Sequence, residues 1–450
     1  MLSQSISNSI FQINNSKREL DKYNLQLSTG KRINRAADDS SGLSIADKLL
    51  TQANGLSAGT KNANDANSML NIADGALSSY QDTLQLMKEK AVYAASDASS
   101  SDSRRALQAD INNYMSSLSR IASDTEFNGI NLLNGTFTNK SFQVGAQAGQ
   151  TVGISIDSTE TSKIGHTTYT IGSAVSAGTT DANLTVNGSV VNQVNISNTT
   201  KDGANLLAAS INDTTAESGV TAKAYNDLTG SAVTGGYIAD GDLSINGVSI
   251  GAVNVTENDS TGTLVDAINA ISNQTGVTAS INGNGSLSLT SKNGENIHIT
   301  ENNGGASKAG LTAGENYGYV KLYSSNGVSI ENATSVSGLD SVTTENYTLS
   351  DINLNTQEGA ENAMRIIDNA ISEINRIQSE VGATTNQLDR VISVNQVTEQ
   401  NVRAAESQIR DADLIEAQNQ VNEWSIKNQA AMYAFQMGQQ TQQSILTLLR

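Results

Sequence analysis

The residues that could carry chemistry are few. Two histidines, His166 and His298, stand far apart in polar stretches, and the chain contains no Cys. Nucleophile–histidine–acid catalysis would have to recruit one of those imidazoles, and neither has a flanking partner. A zinc site needs Cys or His at short spacing, and there is no H-E-x-x-H segment. No G-x-x-x-x-G-K-[ST] loop is present to cradle phosphates. The carboxylate pair Asp38–Asp39 could do acid–base work. Two acidic residues just ahead of a helical stretch read more simply as a polar turn that caps the helix and suits its dipole. Triplets such as Asn183-Leu-Thr and Asn346-Tyr-Thr are what chance supplies in a chain this rich in Asn, Ser and Thr. The sequence therefore predicts no enzyme, no cofactor and no metal.

Composition narrows the class further. The 450 residues carry 45 Asp and Glu against 27 Lys and Arg, a formal net charge of −18. Such a chain repels phosphate backbones, so nucleic acid is not an expected partner. No apolar run is long enough to span a bilayer, and Met1–Ser9 has no basic cluster ahead of an apolar stretch, so neither membrane insertion nor a secretory signal peptide is expected. There is no Pro, where average usage would give roughly 20. Folding then has no slow X–Pro isomerisation step, which suits a chain that travels unfolded and folds on arrival. Aromatics make up only 4%, little material for a deep core.

The two ends and the middle are different kinds of sequence. In the first segment Ile6, Ile13, Leu20 and Leu27 recur every seven positions. Ala63, Ala66, Leu70, Ala73, Leu77, Tyr80, Leu84, Met87, Ala91 and Ala94 then alternate three and four apart. Leu107, Ile111, Tyr114, Leu118 and Ile121 continue the pattern. Near the other end a stripe runs from Ala360 through Ile367, Ile374, Val381, Leu388, Asn395 and Val402 to Ile409. The last holds Leu414, Ala417, Val421, Trp424, Asn428, Ala431, Phe435, Gly438, Gln442, Ile445 and Leu449. Strict 3–4 spacing keeps one narrow seam against a partner and implies coiled-coil packing. A helix over 358–409 would be about 75 Å long, which a rod accommodates and an ordinary globule does not. Separate four-helix bundles are the other reading of these stripes. Asn128–Gly129 and Asn134–Gly135 are turn signals, and Phe142–Gly145 with Val152–Ile156 suggest a hairpin.

The middle contains an internal repeat. Leu184-Thr-Val-Asn-Gly-Ser-Val-Val191 returns as Leu243-Ser-Ile-Asn-Gly-Val-Ser-Ile250, Ala209-Ser-Ile-Asn212 as Asp266-Ala-Ile-Asn269, and Ser218-Gly-Val-Thr-Ala222 as Thr275-Gly-Val-Thr-Ala279. The offsets are 59, 57 and 57 residues, so the copies, about 180–235 and 238–300, are nearly in register. Each reads as a strand pair, a short helix, then more strands. The expected class is α+β: a long coiled-coil rod built from both ends, with a β-hairpin and a β-rich inserted middle.

At this point the residues resemble bacterial flagellins. Leu27-Ser-Thr-Gly-Lys-Arg-Ile-Asn-Arg-Ala-Ala-Asp-Asp-Ser-Ser-Gly-Leu-Ser-Ile-Ala46 is similar to the family's N-terminal signature. Thr125-Glu-Phe-Asn-Gly-Ile-Asn-Leu-Leu-Asn-Gly135 and Phe142-Gln-Val-Gly-Ala146 resemble its helix-to-hairpin signature, and Ile409-Arg-Asp-Ala-Asp413 and Ile445-Leu-Thr-Leu-Leu-Arg450 its C-terminal region. The repeated modules are similar to the insertion motif of flagellar axial proteins. The resemblance implies inner core helices over 1–38 and 411–450, an outer core rod with its hairpin over 39–165 and 346–410, and a surface-exposed domain over 166–345. It implies a spoke at Arg32, Asn34, Asp38 and Asp39, and an assembly seam at Ile6, Ile13, Leu20, Leu27, Leu414, Val421, Trp424, Phe435, Ile445 and Leu449. It also implies self-assembly into an extracellular filament for motility and type III export. The implied partners are an export chaperone, a filament cap and hook-junction proteins, and glycosylation of the exposed domain is common in the family. A hook–filament junction protein shares the terminal helices, and a surface adhesin is the other alternative.

Physics supports folding on assembly. Isolated helices are marginal in water, and a few large apolar residues worth about 1.5–3 kcal/mol each face an ordering cost of about 1–2 kcal/mol per residue. The terminal segments are expected to be disordered in the lone subunit. The sequence also departs from the family. Met1-Leu-Ser-Gln-Ser lacks the common opening pattern, and Trp424 and Met437–Gly438 are unusual. In many flagellins the stretch matching Leu84-Gln-Leu-Met-Lys-Glu-Lys90 reads L-Q-R-[VI]-R-E-L and is bound by the toll-like receptor that senses flagellin. Here Leu86 replaces the Arg and Lys90 the Leu, while Asp110 keeps the acidic third contact, so weak or absent recognition is expected. Similar departures occur in flagellins of epsilon-proteobacteria.

Overall fold

The computed structural model describes residues 2–96, 98–196 and 201–448, with side chains between 7 and 444 of those. The chain opens with three helices: α1 (Leu2–Thr29), α2 (Ser40–Ala95) and α3 (Ser101–Asp124). A hairpin follows, β1 (Lys140–Gln143) and β2 (Thr151–Ile154). The middle begins with β3 (Thr167–Ala174). Its first module has β4 (Thr185–Val186), β5 (Ser189–Val190), α4 (Gly203–Asn212) and β6 (Val220–Ala232). The second has β7 (Leu243–Ile245), β8 (Val248–Ser249), α5 (Thr263–Ala270), β9 (Val277–Ile281) and β10 (Ser286–Ser291). Strands β11 (Ile297–Glu301), β12 (Gly314–Asn316), β13 (Tyr319–Ser324), β14 (Ile330–Glu331) and β15 (Thr343–Tyr347) lead back to two helices, α6 (Gln357–Arg410) and α7 (Leu414–Leu448).

The rod is made by α2, α3 and α6. All ten stripe residues of α2 from Ala63 to Ala94 are fully buried, as are Ile111 and Leu118 of α3 and Ala360, Ile367, Ala370, Ile374 and Leu388 of α6. Alanine dominates the α2 stripe, which lets the helices approach closely while leucines fill the gaps. The α6 helix has 54 residues, so it runs about 80 Å. Thr356 and Asp39 cap α6 and α2 by accepting from the Gly359 and Gly42 amides. Ion pairs such as Lys88–Asp368 at 2.5 Å bridge the two long helices, though exposed pairs add little stability.

Asn395 is the odd member of an otherwise apolar stripe, and the structure explains it. It is buried, and its Nδ2 donates to the Val144 carbonyl at 2.7 Å. That carbonyl belongs to the hairpin turn, which lies flat on α2 opposite Gly59. A Cβ built on Gly59 would sit 2.2 Å from the same oxygen. The same oxygen therefore accepts from α6 and lies directly against the backbone of α2.

The middle consists of antiparallel sheets. The largest has the order β9-β10-β6-β13-β3-β15, with β8-β7-β11-β12 and β14-β4-β5 beside it. Two apolar clusters form separate cores, one around Leu207, Ile211 and Val220, the other around Leu264, Ile268 and Val277. The modules repeat each other at the level of single hydrogen bonds. Asn212 takes the Ala222 amide at 2.7 Å and donates to its carbonyl at 2.9 Å; Asn269 does the same to Ala279 at 2.8 and 3.1 Å. The Asn-Gly turns at 187 and 246 both place Asn at positive φ, the left-handed region that Asn tolerates. Asn187 accepts from Ser329 N and donates to Ser218 O; Asn246 accepts from His298 N and donates to Thr275 O.

The sheet sits on the rod through an aromatic and cationic seam. Lys223 and Lys321 pair with Glu361 and Glu358 of α6, and the Arg365 guanidinium lies 4.3 Å over the Tyr323 ring. Tyr169 packs edge-on to Tyr323 at 5.0 Å, and the Tyr323 hydroxyl donates to that of Tyr225 at 2.9 Å. Residues 166–345 hold 16 Asp and Glu against 5 Lys and no Arg. Two of those lysines are used in this seam, which leaves the outward surface strongly acidic.

Candidate assembly interface

The two terminal helices are the least covered part of the molecule. Helices α1 and α7 pack antiparallel on one another, joined at one end where the backbones of Lys31 and Asp411 form an isolated antiparallel β-bridge and the Ala412 amide donates to Gly30 O at 2.9 Å. Among the described residues the pair buries only Ser16 and Gln26 on α1 and Ala417 on α7. Ile13, Leu20 and Leu27 are half-buried, as are Val421, Trp424 and Phe435. These six are among the covered side chains of the pair, and Lys427 Nζ lies 4.3 Å over the Trp424 ring. Leu414 does not join them and stays 52% exposed. It is the first residue of α7, and the Asp413 carboxylate caps the turn there by accepting from the Ile415 and Glu416 amides. Ala417, one turn on, occupies the seam instead. The side chains of Ile6 and Ile445, and Leu449 altogether, lie outside the described residues.

The outward faces of the same helices are apolar in places where water would reach them. Phe11, Ile415, Ile426, Tyr433 and Met437 are all more than 60% exposed. Clusters of this kind mark interaction surfaces. A second such region lies on the rod. A groove of about 610 Å³ runs between the hairpin turn and α6, lined by Ala146, Gln147, Arg390, Val391 and Val394.

The link between the terminal pair and the rod carries hydrogen bonds from Arg32, Asn34, Asp38 and Asp39. Arg32 Nη2 donates to Ile409 O at 2.6 Å, and its amide donates to Arg410 O at 2.7 Å. Asn34 Nδ2 donates to Lys31 O at 2.7 Å. Asp38 closes the turn by accepting from the Asn34 and Arg35 amides, while Asp39 accepts from Gly42 N and caps α2. The two carboxylates thus serve backbone geometry, each with its own amides. Arg410, which sequence reasoning did not single out, pairs with Asp47 at 3.0 Å across the junction. The only signal for it was its place beside Asp411–Asp413.

Leu86, Lys90 and Asp110 come together on one side of the rod. Leu86 is 45% exposed. Lys90, one turn further along α2, pairs with Asp110 of α3 at 3.2 Å. The hydrogen bond to Asp110, followed by its charge, pushes the Lys90 ammonium above its ordinary range. Of the two histidines, His298 has a carboxylate that the sequence did not reveal: Glu315, its partner across β11 and β12, lies 2.9 Å from Nδ1. Among the described residues no group of three or more His, Cys, Asp or Glu could hold a metal.

Family models place this geometry. The bacterial flagellin N-terminal helical region matches residues 3–138, the bacterial flagellin C-terminal helical region matches 364–449, and the flagellin hook IN motif matches 242–293. Flagellin B of Helicobacter pylori is 34% identical over 96% of each chain. The chain belongs to the bacterial flagellin family. Flagellin A of Helicobacter pylori is 33% identical over 94% of each chain, and the flagellin of Aquifex aeolicus 30% over 96% of each. The Helicobacter relatives put this flagellin with the epsilon-proteobacterial type. It is a structural subunit that self-polymerises into the extracellular flagellar filament, in a family of structural proteins. No described helix is long and apolar enough to cross a membrane. Solved structures lie further away. FliC from Burkholderia pseudomallei has 20% identity over 71% of this flagellin and 99% of that chain, with a TM-score of 0.31. The junction protein FlgL from Legionella pneumophila has 13% identity over 81% and 99%, with a TM-score of 0.35.

Proposed function

We propose that this flagellin assembles through the α1–α7 pair, and that those helices gain their stability from neighbouring subunits. The observation that carries the reading is the contrast between the pair's seam and its outward faces. Among the described residues the seam buries two polar residues and one alanine, while Phe11, Ile415, Ile426, Tyr433 and Met437 stand in solvent. Ordering each residue costs about 1–2 kcal/mol, and a half-buried seam returns too little to cover it. Neighbours stacked on the outward faces supply the rest. A head-to-tail contact that does not close builds an open helix of subunits. In this reading residues 1–38 and 411–450 form the inner core and 39–165 with 346–410 the outer rod. Residues 166–345 project outward, where their acidic surface keeps neighbouring modules apart. Arg32, Asn34, Asp38 and Asp39 set the angle between inner and outer parts.

The same reading supplies the partners. An export chaperone would cover the apolar face of α7 before secretion, a filament cap would receive the subunit, and hook-junction proteins would present matching terminal helices. Leu86 in place of a guanidinium, and Asp110 already held by Lys90, support weak or absent recognition by the toll-like receptor. Electron microscopy of purified subunit after salting-out tests the core of the proposal. Long tubes are the expected product. Soluble monomers, or rings and short caps, would instead indicate a junction protein. Hydrogen–deuterium exchange on dilute monomer should show α1 and α7 exchanging far faster than α2 and α6.

A further inference from the structure

Ten Asn-Gly pairs occur in the chain, at Asn54, Asn128, Asn134, Asn187, Asn246, Asn282, Asn284, Asn293, Asn303 and Asn326. Asn-Gly is the sequence in which a backbone amide attacks the preceding side chain, because glycine has no Cβ to obstruct the approach. The fold treats these pairs very differently. Asn187 and Asn246 are held at both ends of their amides, and their own backbone N–H groups donate to Ser329 O and His298 O at 2.8 Å. Asn134 and Asn284 accept two hydrogen bonds each through Oδ1, and Asn282 and Asn303 donate through Nδ2. Gly55 lies inside α2. Gly294 donates its amide to Ser291 O, and Asn128 sits in the left-handed region in the tight turn between the paired strands Glu126–Phe127 and Ile130–Asn131.

Asn326 differs from all of these. It is exposed, has negative φ, and its side chain has no hydrogen bond among the described residues. The Gly327 amide likewise has none, and a Cβ built on Gly327 meets no atom within 4 Å. We propose that Asn326–Gly327 is a self-modification site at which the chain deamidates through a succinimide. Gly327 N bonds to Asn326 Cγ, the Cγ–Nδ2 bond breaks, and Nδ2 leaves as ammonia with the proton from Gly327 N. Water then opens the imide at either carbonyl. The product at 326 is an ordinary aspartyl link or an isoaspartyl link in which the backbone runs through the former side chain.

The site has a structural consequence. The strap just beyond it holds the first module's turn: Asn187 Nδ2 donates to Gly327 O at 3.1 Å, and Ser329 N donates to Asn187 Oδ1 at 2.7 Å. An isoaspartyl link adds a backbone carbon next to that strap and pulls it out of register with Asn187. The second module takes its corresponding bonds from His298 in β11, with no Asn-Gly pair adjoining it. Ageing should therefore loosen the first module and spare the second.

The experiment is peptide mapping by mass spectrometry after incubation of the full native chain in mild alkali, with a urea-unfolded sample beside it. In the native chain Asn326 should convert faster than Asn187 and Asn246 by roughly a hundredfold, the weight of two to three hydrogen bonds that must open first. In urea the three sites should convert at similar rates. Asn326→Gln should abolish conversion at 326 and leave the circular dichroism unchanged. After ageing, amide exchange at Asn187 and Ser329 should rise while exchange at Asn246 and His298 stays as before. Native rates that are equal at 326, 187 and 246 would overturn the proposal, as would Asn128 or Asn293 converting ahead of Asn326.

Discussion

Lys90 of α2 and Asp110 of α3 face each other at 3.2 Å as an ion pair on the exposed side of the rod. A partner that needs Asp110 must first displace Lys90, and Leu86 offers it no guanidinium in return. In reporter cells bearing the toll-like receptor, the native chain should be silent or nearly so. The double substitution L86R/K90L should restore signalling, since an Arg anchor is worth about 2 kcal/mol or more at a hot spot, roughly thirtyfold in affinity. Full potency of the native chain would refute this account.

Gly59 gives a test in which two effects have opposite signs. Replacing a helical Gly by Ala gains about 1 kcal/mol from propensity alone. At this position the added Cβ meets Val144 O at 2.2 Å, backbone that cannot swing aside. Gly59→Ala should therefore lower the thermal midpoint and speed amide exchange over Val144–Gln150. A raised midpoint would mean that the hairpin turn does not rest on α2. Asn395→Ala should also destabilise, by about 1–3 kcal/mol, since it removes the donor to a buried carbonyl.

Phe11 separates assembly from stability. It is 64% exposed on α1, so Phe11→Ser should change monomer unfolding by less than about 0.5 kcal/mol. It should nonetheless slow or stop salt-induced polymerisation, read by light scattering and microscopy. Normal tubes from the variant would place the contact surface elsewhere.

The tyrosine seam sets an alkaline limit. Burial first of all raises the phenols of Tyr169, Tyr225, Tyr319 and Tyr323, while Tyr347 is pushed up to about 12, chiefly by its hydrogen bond to Glu345. Free phenols titrate near pH 10. The folded state then binds more protons than the unfolded chain above that value, so the seam's contribution is complete below about pH 10 and is lost as pH climbs toward the folded values. Tyrosinate absorbance should show these five ionising late, together with loss of sheet structure. If they titrated near pH 10 in the intact protein, the seam would be open to solvent.

The rod was legible because its stripe is long and strict: every residue from Ala63 to Ala94 in the 3–4 pattern is fully buried. The repeat was legible because Asn212 and Asn269, though polar, do identical work on Ala222 and Ala279. Other features left little trace. Arg365, Lys321 and the tyrosines meet only after strands distant in sequence pair up, with Tyr225 opposite Tyr319 and Tyr323 opposite Tyr169. No local pattern announces such a seam. Heptad spacing also runs through the start of α7, where Leu414 is 52% exposed and Ala417, one turn on, is buried.

Strand β3 leads into the middle and β15 leads out of it, and the two are paired neighbours, with Thr167 opposite Tyr347. Apart from the seam on α6, the chain joins rod to middle at only two crossings, one strand spacing apart, about 4.8 Å. A lineage can lengthen, shorten or exchange the outer module, and an engineer can graft a foreign one, without asking the shaft to change shape.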